Sequence, residues 1–351
     1  MINWVPKKSI NNESVQNMLN ISLKTGQFTN YGPNVQLLEE KIRQYFEVDE
    51  SKVVVVVNNG STAIQVLAAA IEYKNKESIQ WATQAFTFPS SCQCNLSDVS
   101  IIDIDPDGGL DLQQVDESIG GIIVTNIFGN VVDIIKYEKW ARDNNKYLIF
   151  DNAATSCTFY KGKNSVNYGI GCGISFHHTK PFGFGEGGAI IVDKKYESSV
   201  RCLINFGINL TENYYVIEGT NGKMSDISAA YILQFLDSNF HTIVEKHSGL
   251  YKYIKDGIKR RNIYHVKLFP SFHDENKNVP GCISLLFDDY NDTYEKRVLE
   301  AGIFCRKYYH PIKDLPVSTR VYRDILCISC TTEMTTQHID IILNCILPIS
   351  S

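Results

Sequence analysis

The sequence predicts an α/β fold: a large unit with a mainly parallel, mixed sheet flanked by helices, followed by a smaller α+β C-terminal unit. Three observations carry this expectation. Short apolar runs alternate with helical patterns through the first two thirds of the chain, the signature of a parallel sheet covered on both faces. Two later runs are joined only by a glycine-rich loop, which calls for a local antiparallel pair. The 351 residues are enough for two domains, or for one large domain with a smaller one attached.

Val53–Val57 is the first strand; it ends at Asn58-Asn-Gly-Ser61, and a helical stretch follows from Thr62 to Tyr73. Ser78–Trp81, Ile101–Ile104, Gly121–Thr125 and Tyr147–Phe150 read as the next four strands, and Asp133–Asn144 as one of the intervening helices. Ile174–Phe176 and Ala189–Val192 are the candidate antiparallel pair. A long helical region, Ser225–Leu250, leads out of the large unit. We expect a cofactor-binding domain over residues 1–240, N-terminal segment included, and a small domain over 241–351. Within the latter, Gly281–Phe287, Gly302–Arg306 and Ile325–Ser329 read as strands and Thr336–Leu347 as a final helix.

Composition narrows the function classes. Hydrophobic residues make up 44% and charged residues 21%, as in ordinary globular proteins. The net charge is −5 and no long basic run occurs, so a nucleic-acid partner is disfavoured. The longest apolar runs are strand-length, too short to span a bilayer, and the first residues lack the apolar core of a signal peptide. A cytoplasmic location is the resulting expectation. Of the ten cysteines, Cys92/Cys94 and Cys327/Cys330 are the close pairs, with no second pair or histidines at zinc-finger spacing. Cys327 and Cys330 read as core thiols in a buried strand, and no metal is expected. Asn209-Leu-Thr211 fits the N-glycosylation pattern but carries no meaning in a cytosolic chain.

Ligands of open α/β sheets collect at the carboxyl ends of the strands, and three features fall there. Asn59-Gly-Ser-Thr62 sits between a strand and a helix start, where backbone N–H groups and a hydroxyl can cradle a phosphate; a plain helix cap by Ser61 explains it equally well. Asp151 follows an apolar strand directly, as a helix cap or as the buried anion that keeps a pyridine nitrogen protonated. Lys180 leaves the segment Ser175-Phe-His-His-Thr-Lys180 into Gly183-Phe-Gly-Glu-Gly-Gly188, either solvated or as a Schiff-base amine. The glycines would let backbone approach a flat ring. Together the three describe a phosphate anchor, a pyridinium partner and a Schiff-base lysine.

On these residues the chain resembles the sugar-nucleotide aminotransferases, a branch of the aspartate aminotransferase superfamily with the type I pyridoxal-phosphate fold. The resemblance runs nearly end to end: Thr29-Asn-Tyr-Gly-Pro33, Asn59–Thr62, Ala85-Phe-Thr-Phe88, Phe150-Asp-Asn-Ala-Ala154, Ser175–Lys180, Gly185-Glu-Gly-Gly188 and Gly219-Thr-Asn-Gly-Lys-Met-Ser225. It implies pyridoxal 5'-phosphate as cofactor, with the pyridoxamine form as intermediate. Lys180 matches the Schiff-base lysine and Asp151 the partner of the pyridine nitrogen. Phe88 matches the ring-stacking aromatic, and Gly60, Ser61 and Ser175 match phosphate-binding positions. Asn221 matches a residue that reaches the phosphate from the neighbouring subunit, which implies a homodimer with shared sites. His177 sits where the family often has histidine. Asn30 and Tyr31 at one end, and Tyr309 and His310 in Tyr308-Tyr-His-Pro311 at the other, match segments that approach the sugar nucleotide. One departure stands out: where relatives carry glutamine, this chain has Ala154, so a neighbour such as Thr155 takes over that hydrogen bond or it is absent.

The resemblance implies amino transfer from L-glutamate to C4 of a nucleotide-linked 4-keto-6-deoxyhexose, with a viosamine-type product as one candidate. The alternatives are amination at C3 of a 3-keto-sugar nucleotide and a non-catalytic, pyridoxal-phosphate-binding regulator. A dehydratase of this fold would carry histidine in place of Lys180. A dinucleotide enzyme is excluded, since no Gly-x-Gly-x-x-Gly follows the first strand.

Overall fold

Five consecutive valines open the large sheet, and alternate ones serve opposite faces: Val53, Val55 and Val57 pack into one apolar cluster, Val54 and Val56 into another. A strand buried on both sides reads as a continuous apolar run because neither face meets water. The computed structural model describes residues 1–209, 214–270 and 278–348; Leu210 and Thr211 of the Asn209–Thr211 pattern lie outside them. After helices α1 (Asn12–Thr25) and α2 (Pro33–Tyr45) come β1 (Lys52–Val57), α3 (Gly60–Asn75), β2 (Trp81–Gln84) and β3 (Ser100–Ile102). Next are β4 (Gly121–Thr125), α4 (Ile134–Asp143), β5 (Tyr147–Asp151), β6 (Gly171–Ser175), β7 (Gly188–Asp193) and α5 (Glu197–Leu203).

These seven strands form one sheet in the order β1-β7-β6-β5-β4-β2-β3. Strand β7 runs antiparallel to both neighbours, β1 and β6, and every other pairing is parallel. The antiparallel pair expected across the glycine loop is therefore present, and β7 is reversed on its other side as well. Helix α3 covers one face with Ala63, Ile64 and Leu67. Helix α2, with Leu38 and Ile42, and the first half of α6 (Asp226–Arg260) cover the other.

The second strand begins later than its apolar pattern suggests, at Trp81 rather than Ser78. Its last residues, Thr83 and Gln84, are polar yet fully buried. Gln84 donates to the carbonyls of Phe86 and Gly108 and accepts from the Thr125 amide, so its polar atoms are paired at the sheet's end. An apolar-run reading misses such residues.

Helix α6 is continuous for 35 residues, so a division at 240 falls inside it. Its Ala229, Ile232 and Leu236 belong to the large-sheet core, and Leu250 and Ile254 to a second core. That core lies on a four-stranded antiparallel sheet, ordered β8 (Val266–Leu268), β9 (Cys282–Phe287), β11 (Ile325–Ser329) and β10 (Cys305–Arg306). Helices α7 (Asp292–Glu300), α8 (Pro316–Asp324) and α9 (Thr336–Cys345) complete this part. Cys327 and Cys330 are buried thiols. Between the two sheets lies a cluster of Phe86, Phe128, Phe269, Tyr309, Cys282 and Cys327. No helix among the described residues is long and apolar enough to cross a membrane.

Candidate active site

The carboxyl ends of β1, β4, β5 and β6 converge on one cavity of about 500 Å³, inside the range of small-molecule sites. Its wall includes Gly60, Ser61, Phe88, Thr125, Asp151, Ser175, Lys180 and Tyr309. Seven of these eight were expected from sequence; Thr125 was not, although it ends a parallel strand as Asp151 does.

Asp151 is the last residue of β5 and is 2% exposed. Its carboxylate accepts from the Ser91 hydroxyl and the Ala153 amide, both at 3.0 Å. Burial pushes its pKa up, while these bonds and the Lys180 charge pull the other way. Lys180 shows the complementary effect: burial lowers its pKa, and Asp151 opposes the shift. A buried amine that gives up its proton readily is the form that attacks a carbonyl. A carboxylate whose burial is only partly compensated is suited to a cationic ring nitrogen beside it.

The turn expected to cradle a phosphate is the start of α3. Asn59 caps the helix by accepting from the Thr62 amide at 2.8 Å, so the expected cap by Ser61 is not used. Ser61 is left to pair with Ser90, hydroxyl to hydroxyl at 2.7 Å, on the cavity wall. Gly60 is required by packing: a Cβ there would stand 2.8 Å from the Ser175 Cβ. A helix start, two serines and a bare glycine make a fitting donor set for a phosphate. With Asp151 and Lys180 in the same cavity, the residues present fit pyridoxal phosphate.

The glycine loop after Lys180 has a different reason from the one its composition suggests. None of the glycines at 183, 185, 187 and 188 lines the cavity. A Cβ at Gly183 would lie 2.0 Å from the His177 carbonyl oxygen, and one at Gly187 would lie 2.5 Å from Ile232. These glycines let the loop fold on itself and on α6. Lys8, from the N-terminal segment, donates to the carbonyls of Lys180 and Gly183 at 2.6 and 2.5 Å and so holds the loop.

Other expected residues are distributed as follows. His177 lines the cavity, its Nε2 3.4 Å from Glu186. Ala153 and Ala154 line it too, but the Thr155 hydroxyl donates to the Asn126 carbonyl at 2.6 Å and does not reach the wall, so it is not a replacement for the family glutamine. Tyr309 is buried and stacked on Phe128, with ring centroids 5.2 Å apart. His310 does not line the cavity; its ring lies 4.9 Å from Tyr322. Asn30 and Tyr31 line a separate surface pocket with Glu39, Arg201 and Lys223. There Tyr31 donates to Glu39 at 3.0 Å under the Arg201 guanidinium. Asn221 is exposed and bridges Asn205, which lines that same pocket.

Two cavity residues carry no local sequence signal. Trp4 and Arg306 come from opposite ends of the chain and meet because Ile2 pairs with Ile303 beside the small sheet.

A family model described as the DegT/DnrJ/EryC1/StrS aminotransferase family matches residues 9–347. The chain is 25% identical to a dTDP-4-amino-4,6-dideoxy-D-glucose transaminase of Shigella dysenteriae, over 93% of each chain. It is also 25% identical to a UDP-4-amino-4,6-dideoxy-N-acetyl-beta-L-altrosamine transaminase of Campylobacter jejuni, over 80% of this chain and 77% of that one. Among solved structures, DesI in the presence of its TDP-sugar product superposes with a TM-score of 0.80 at 22% identity, covering 97% of this chain and 91% of the other. That likeness establishes the shared fold.

Proposed function

The chain belongs to the DegT/DnrJ/EryC1/StrS aminotransferase family, and from that premise we propose that it moves an amino group from L-glutamate to C4 of a nucleotide-linked 4-keto-6-deoxyhexose. The observation that carries this reading is the meeting of Lys180 and Asp151 in one cavity with the start of α3. The names of the Shigella and Campylobacter relatives, which place an amine at C4 of a 4,6-dideoxy sugar, support the position.

Pyridoxal phosphate, when bound, supplies an aldehyde to carry the amino group and a ring to accept electrons. Asp151 would hold its pyridine nitrogen, Phe88 its ring face, and Gly60, Ser61 and Ser175 its phosphate. Lys180 Nζ, favoured as the free amine by burial, takes a proton from the donor's α-carbon and later delivers one to C4 of the sugar. The aromatic wall of Phe128, Tyr308 and Tyr309 would limit water around the exchanging groups. Asn30 and Tyr31 line a surface pocket separate from the cavity, and Asn221 is bridged to Asn205 on its wall. We assign that face to a partner subunit, where Asn221 would reach the partner's phosphate and complete its site in a homodimer.

The test is an absorbance spectrum of the protein with added pyridoxal phosphate, before and after L-glutamate. The expected result is a visible band of lysine-bound cofactor that glutamate discharges. Uridine- or thymidine-linked 4-keto-6-deoxyglucose should then restore it. No band would overturn the role of Lys180; a band that no amino acid discharges would favour a binding protein.

A further inference from the structure

The cavity contains a cation that the proposed chemistry has not yet used. Arg306, at the end of β10, lines it together with Lys180. Its guanidinium lies in the corner of an edge-to-face pair of rings, 4.0 Å from the Trp4 centroid and 4.5 Å from that of Tyr308. Its Nε is buried and has no hydrogen-bond partner, and among the described residues no carboxylate pairs with it. A buried Nε without a partner is costly to maintain, and the planar fork of a guanidinium on a cavity wall matches a carboxylate.

We infer that Arg306 is the carboxylate-recognition residue for the amino-acid donor, held against Trp4 and Tyr308 so that its fork meets the donor's carboxylate while the donor's nitrogen reacts. This rests on the aminotransferase reading above. The other bases on the cavity wall are committed: Lys180 to the chemistry, and His177 to its contact with Glu186. Proximity favours the donor over the sugar nucleotide. An amino acid carries its α-carboxylate on the very carbon that reacts, whereas the diphosphate of a sugar nucleotide hangs from C1, across the ring from C4. The Arg306 charge also reaches Lys180, where it adds to the lowering that burial causes. Both rings come from outside the large sheet, Trp4 from the first residues and Tyr308 from the segment after β10.

The test compares the native chain with Arg306→Met and Arg306→Lys in each half-reaction separately. Arg306→Met should lower the second-order constant for discharge of the visible band by L-glutamate by about ten- to a hundredfold, through weaker saturation. Reaction of the amine-loaded protein with the keto-sugar nucleotide should lose several-fold less, because Arg306 touches that half only through its charge on Lys180. Glutarate, which has carboxylates but no amine, should compete with glutamate in the native chain and lose its hold in the variant. Arg306→Lys, a point charge without the fork, should show the same selective loss in smaller measure. This keeps the inference testable if Arg306→Met does not fold. Discharge of either variant at the native rate overturns the inference. A loss confined to the sugar-nucleotide half-reaction also overturns it and assigns Arg306 to phosphate, while an equal loss in both halves assigns it to general architecture. If the native protein forms no band, or no amino acid discharges it, the aminotransferase reading itself fails.

Discussion

Replacing Lys8 by methionine tests how the N-terminal segment holds the loop of Lys180. The Lys8 amine is pushed down from 10.5 to about 7 by burial. A neutral amine has two N–H groups, and two carbonyl oxygens, of Lys180 and Gly183, stand ready to accept them. In the folded chain Lys8 has lost its proton above about pH 7, while in the unfolded chain it keeps it to 10.5. Between those values the unfolded state binds more protons, so the native chain gains stability as pH rises. At about 1.4 kcal/mol per pH unit, the interval from pH 7 to 9 makes about 2.7 kcal/mol available at most. Partial exposure of Lys8 screens the effect, and a gain of about 1 kcal/mol over Lys8→Met is the expected minimum. Urea unfolding of both proteins at pH 7, 8 and 9 measures it, with other titrating groups cancelling in the difference. A difference that stays flat, or narrows as pH rises, would refute the argument, since it would mean that Lys8 remains charged in the fold.

Three further outcomes are expected. Lys180→Arg keeps a long basic side chain but cannot form a Schiff base, so borohydride treatment with pyridoxal phosphate should add the cofactor's mass to position 180 of the native chain only; labelling of another lysine instead would move the assignment. Gly60→Ala brings a Cβ to 2.8 Å from that of Ser175 and should cost about 1–3 kcal/mol of unfolding free energy. Adding Ser175→Gly should cost less than the sum of the single losses, and strict additivity would show that the two do not touch. Asp103 accepts from the amides of Val317 and Ser318, at 2.8 and 2.9 Å, and so satisfies the start of α8. Asp103→Ala should lose about 2–4 kcal/mol in the same unfolding assay, and a loss below about 0.5 kcal/mol would contradict it.

Much of this protein is determined locally and can be read without coordinates. Unbroken valines at 53–57 demand a strand buried on both faces, and the short link between β6 and β7 demands reversal of direction. Asp151, Ser175 and the Asn59–Ser61 turn each end a strand, and parallel strands present their carboxyl ends on one side. That side was therefore legible as the candidate site, and Lys180, five residues after β6, came with it.

Other features depend on contacts between residues far apart in the chain. Buried Gln84 looks polar in sequence because its partners, Phe86, Gly108 and Thr125, come from three places. The glycines after Lys180 look like room for a ligand, but the space at Gly183 and Gly187 is taken by the loop's own backbone and by α6. Thr155, adjacent to the Asp151 turn, could be assigned either way until its hydroxyl was found on Asn126. Trp4 and Arg306 lie some three hundred residues apart, and no pattern of period two or 3.6 links them. Only folding of the small sheet, which pairs Ile2 with Ile303, brings the indole to the guanidinium. Periodicity reports which side of an element meets water; which distant side chain occupies the other side is decided by packing in three dimensions.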